Sequence, residues 1–62
     1  MTDDETIIRR AYAEAALAAK EKGLSGHRAM VAVLNAAAKV SARIIGREVS
    51  PLDVERILRA SH

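Results

Sequence analysis

The densest chemistry in the chain is Ser25-Gly26-His27-Arg28. A glycine, an imidazole and a guanidinium stand together where a helix is expected to begin. Free backbone N–H groups and the dipole at a helix start attract phosphate or carboxylate. The plainer reading of the same quartet is a capping serine, a glycine that eases the turn and two solvated bases. Catalysis has less to draw on. His27 has no acid beside it in sequence to orient its ring, and His62 is the other histidine. There is no cysteine and no H-E-x-x-H, C-x-x-C, G-x-G-x-x-G or Walker-type loop. The acids fall at helix starts and in surface pairs. This inventory points away from an enzyme, and it assigns no metal and no cofactor.

A second constellation is basic. Arg28, Lys39, Arg43 and Arg47 fall within about a third of a helical wheel, with Asn35 and the small Ala32, Ala36 and Ala42 between them. Such a face suits the phosphate backbone of duplex DNA, because alanines allow close approach and the arginines and lysine neutralise phosphates. Single-stranded nucleic acid is disfavoured, since Tyr12 is the only aromatic available for stacking on bases. A further route to DNA runs through Val49-Ser50-Pro51-Leu52-Asp53-Val54-Glu55-Arg56-Ile57-Leu58. This run resembles the turn and recognition-helix half of helix-turn-helix repressors, which implies Arg56 as a DNA contact. It departs from that pattern at Ile44, where a small alanine is usual, and at Glu48, where glycine is usual. The resemblance covers ten residues and assigns no family.

Three helices are expected to position these groups. The first runs over about 3–22: Thr2 and Glu5 have capping-box spacing, acids crowd the first turn, and Lys20, Lys22 and Gly23 close it. Its inner stripe is Ile7, Ile8, Ala11, Ala15, Ala18 and Ala19, small enough for close backbone approach to Ala37 and Ala38. The second helix, about 26–45, lies between Ser25 and Gly46 and is the element around which the chain is organised. Its apolar side, from Val33 through Ile44, Ala37, Met30, Ser41, Leu34, Ile45 and Ala38 to Val31, sweeps about 180°, where a surface helix needs about 100°. Ser50, Pro51 and Asp53 open the third helix, about 51–61, with Val49 and Val54 spaced as a hydrophobic staple. The short Gly23–Gly26 connection predicts that the first two helices form an antiparallel hairpin.

Composition bounds the rest. Sixty-two residues make one helical domain, 1–62, near the lower limit for folding without staples, and a net charge of +2 favours no class of partner. No apolar run approaches the roughly 18 residues that span a bilayer, and the acidic start is unlike a signal peptide, so a soluble, cytoplasmic chain is expected. The core must be built from aliphatic side chains and alanine, which return little burial per residue, while the second helix has apolar surface to spare. The expected protein is therefore an all-α, long-long-short three-helix bundle completed by dimerisation. Its expected role is a regulatory or adaptor-like interaction module pairing with itself or with another helical protein. Met30, Val31, Leu34, Ala38, Ile45 and the outlying Leu17 are the candidate interface. DNA binding through Arg28, Lys39, Arg43, Arg47 and Arg56 is the alternative.

Overall fold

Most of the helix ends are set by a specific side chain or glycine. The computed structural model describes residues 3–60, and among them the elements are α1 (Asp4–Glu21), α2 (Gly26–Ile45) and α3 (Pro51–Ala60), with no strand. The cap of α1 differs from the Thr2–Glu5 expectation. Asp3 occupies the cap and its Oδ1 accepts the Thr6 N–H at 2.8 Å; Thr2 lies outside the described residues. Aspartate is the stronger cap, and this start leaves Glu5 free to pair with Arg9 one turn on. At the other end the Leu24 N–H bonds to the Ala19 carbonyl and the Gly23 N–H to that of Lys20, both at 3.0 Å. This paired closure requires a left-handed residue, and Gly23 supplies it at φ +80°.

The start of α2 is looser. Ser25 is extended, but its hydroxyl makes no capping bond to the helix. The start of α3 is the most fully closed. The Ser50 N–H donates to Asp53 Oδ2 at 3.1 Å and the Asp53 N–H donates to Ser50 Oγ at 3.2 Å, a reciprocal capping box. Val49 and Val54, on either side of it, are both buried, so the staple fixes the angle at which the chain enters α3.

The core sits where the three helices meet. Ile8, Ala11, Ala37, Ala38, Val49 and Val54 form one buried cluster, and Tyr12, Leu34, Ile45, Ile57 and Leu58 close around it half-buried. Alanine allows α1 and α2 to approach closely, so two large aliphatic side chains, Ile8 at 1 % exposure and Val54 at 0 %, fill the centre. The radius of gyration is 11.1 Å, against about 10.6 Å expected for a compact chain of this length. The expected stripe of α1 holds at Ile8, Ala11 and Ala19, which are buried, but Ala15 is half-buried and Ala18 is exposed. Those two border an open depression between α1 and α2 rather than a close helix contact.

Two features of this fold are testable. Accepting the Thr6 and Ser50 backbone N–H bonds holds the Asp3 and Asp53 carboxyls below their ordinary range. A lowered folded-state value contributes stability above the unfolded value, about 3.9, and loses it as pH falls through the folded value. Asp53→Ala should thus melt below wild type at pH 7, with the gap closing as the pH approaches 2, as thermal melts across that range would show. The second feature is Ser41, 0 % exposed, whose Oγ has no hydrogen-bond partner among the described residues. Leaving a buried hydroxyl unsatisfied costs about 1–3 kcal/mol, so Ser41→Ala should raise the melting temperature. A lower one would mean that the hydroxyl contributes to the fold.

Candidate functional site

The groups that could do chemistry do not converge. His27 and Arg28 are exposed in the first turn of α2, and Gly26 beside them is left-handed at φ +71°. His62 lies outside the described residues. Among the described residues no group of three or more His, Cys, Asp or Glu could hold a metal ion.

The basic residues divide. Arg47 sits past the end of α2, and its Nη2 pairs with Asp4 Oδ2 at 2.8 Å, which ties that arginine to the start of α1. Arg28, Lys39 and Arg43 are exposed on α2 and make no ion pair among the described residues. Arg56 is exposed on α3, where it borders a shallow depression with Leu52, Glu55 and Arg59. The acids of α3 are already engaged: Asp53 in the cap, Glu55 with Arg59 at 2.7 Å. An outward face of α3 is thus close to neutral rather than basic.

The candidate interface also divides. Ala38 is buried in the core, and Leu34 and Ile45 are half-buried against it, packed with Ile57 and Leu58 of α3. These three meet neighbours within their own chain. Leu17, Met30 and Val31 remain 59 %, 50 % and 43 % exposed. Met30 and Leu34 share a hollow with Tyr12, Leu58 and Arg59, beside the end of α3.

A more continuous surface lies along the α1–α2 seam. Ile7 and Ala11 of α1 and Val40 and Ile44 of α2 form the floor of a groove of about 250 Å³, flanked by Arg10 and Glu14. Farther along the same two helices, Ala15 and Ala18 face Ala32 and Ala36 across a second depression of about 240 Å³ that Leu24 closes. No residue of α3 lines either one. Ile44 is 61 % and Val40 40 % exposed. On the wheel Val40 falls just outside the apolar arc, so periodicity alone does not single it out. The signal that could have found it is its i,i+4 spacing to Ile44.

The seam's floor is aliphatic, and the ionisable groups stand at its rim. No helix among the described residues is long and apolar enough to cross a membrane. No family model matches the chain, and neither a curated protein nor a solved structure matches it.

Proposed function

We propose that this chain is a small non-enzymatic interaction module that pairs with a second copy of itself. One observation carries the reading. Among the described residues, four apolar side chains of valine size or larger are buried (Ile8, Val33, Val49 and Val54), whereas seven are exposed: Leu17, Leu24, Met30, Val31, Val40, Ile44 and Leu52. A domain of this length has only a few kcal/mol of stability to draw on. Pairing places part of that exposed surface in a second core and couples folding to association. The frame for such pairing is an antiparallel α1–α2 hairpin. Supporting it are the Asp4–Arg47 ion pair between the start of α1 and the end of α2, the groove shared by Ile7 and Ile44, and the depression where Lys22 meets Ala32 and Val33.

Duplex DNA is the second reading, favoured by one feature: Arg28, Lys39 and Arg43 are exposed along one side of a helix with no acidic residue of its own. The engagement of Arg47 by Asp4 shortens that stripe by one cation.

The experiment is sedimentation and thermal melting from micromolar to near-millimolar protein, with and without duplex DNA. Dimerisation makes the melting temperature climb by several degrees with concentration. A monomer with an unchanging melt excludes self-pairing. If duplex binds at low salt, Lys39→Ala with Arg43→Ala should lower the salt slope by about 0.9 for each lost phosphate contact; an unchanged slope removes the basic face from that role.

A further inference from the structure

Resting on the self-pairing reading, we infer that the open α1–α2 seam is the surface on which the second copy docks, with α1 of each copy lying along α2 of the other. The seam is the face of the hairpin that α3 leaves uncovered, and it extends from Thr6 to Lys22 on α1. That is about 24 Å by the width of two helices, about 20 Å. The area is about 500 Å² per copy, so the pair reaches the ~1,000 Å² at which specific interfaces begin.

Charge selects the arrangement. α2 carries Arg28, Lys39 and Arg43 and no acid, so setting α2 against its own copy would oppose cations with cations. α1 presents Glu14 and Glu21, both exposed and without an ion pair among the described residues. A two-fold axis parallel to the helices stacks α1 on α2 of the partner copy and preserves height along the axis. With Ile7 and Ile44 level in the shared groove, a rise of about 1.5 Å per residue brings Glu14 level with Lys39, and Glu21 level with Arg28, each to within about 3 Å. Each acid of one copy then meets a cation of the other, on both sides of an aliphatic floor made by Val40, Ile44 and Ile7. At the groove's end the same symmetry brings Arg10 near Arg43 of the second copy, and at the other end it brings Lys22, which lines the depression, near Arg28 of the second copy; these are the like-charged meetings on this face. Replacing Arg10 with an acid should therefore tighten the pair, which an incidental apolar contact would not do.

The test is the dimer dissociation constant by sedimentation equilibrium for wild type and five variants, with helix content checked by circular dichroism. Val40→Glu alters a 40 % exposed residue, so the fold persists while the dimer weakens at least ten-fold. Glu14→Lys weakens it, and adding Lys39→Glu restores it. Arg10→Glu strengthens it several-fold at low salt, with the gain fading at high salt. A dimer that ignores these changes but is broken by Val31→Glu overturns the docking surface and leaves self-pairing standing. A wild type that stays monomeric at near-millimolar concentration overturns the self-pairing reading itself.

Discussion

The constraint on which everything else depends is that the buried residues of α1 and α2 are mostly alanines, at 11, 19, 37 and 38. Alanine loses no side-chain entropy on folding and is the best helix former, so both long helices form readily. It also buries little area. The burden of filling the centre then falls on Ile8 and Val54. Truncating a buried Ile costs about 2–5 kcal/mol, comparable to the whole stability of about 3–5 kcal/mol that a core this small supplies. Ser41, fully buried with a hydroxyl that has no partner among the described residues, subtracts from an already thin margin.

From that constraint the division of surfaces follows. α3 is ten residues long and enters through the Val49–Val54 staple, so it covers the side of α2 that holds Leu34, Ala42 and Ile45. It lines neither hollow on the other side of the seam. One short helix cannot cover two faces. The uncovered one keeps Val40 and Ile44 in water, and Arg10 and Glu14 on its rim make no ion pair among the described residues.

The local elements were readable because their causes are local. A serine, a proline and an aspartate three residues after the serine specify the start of α3, and Gly23 after two lysines specifies the end of α1. The inner side of α2 was readable as far as Val33, Ala37, Ala38 and Ser41, all of them buried. What the periodicity could not carry was the assignment of neighbours. A wheel shows that Leu34, Ile45 and Met30 share an apolar side, but not that α3 ends near Met30 and leaves it half in water. Nor could it foresee that Asp4, 43 positions away, removes Arg47 from the basic stripe. Such pairings depend on where helices lie in space, and spacing within one helix does not encode that.

The turns at Gly23 and Gly46 have a consequence of a different kind. Both are left-handed, at φ +80° and +85°, and a Cβ built on either would meet nothing within 4 Å. Space is therefore not what reserves these positions for glycine; chirality is. An L-residue would be strained there by its own backbone, while a mirror-image D-alanine would sit in open solvent in the conformation it prefers. At these two corners the fold selects by handedness and is indifferent to size.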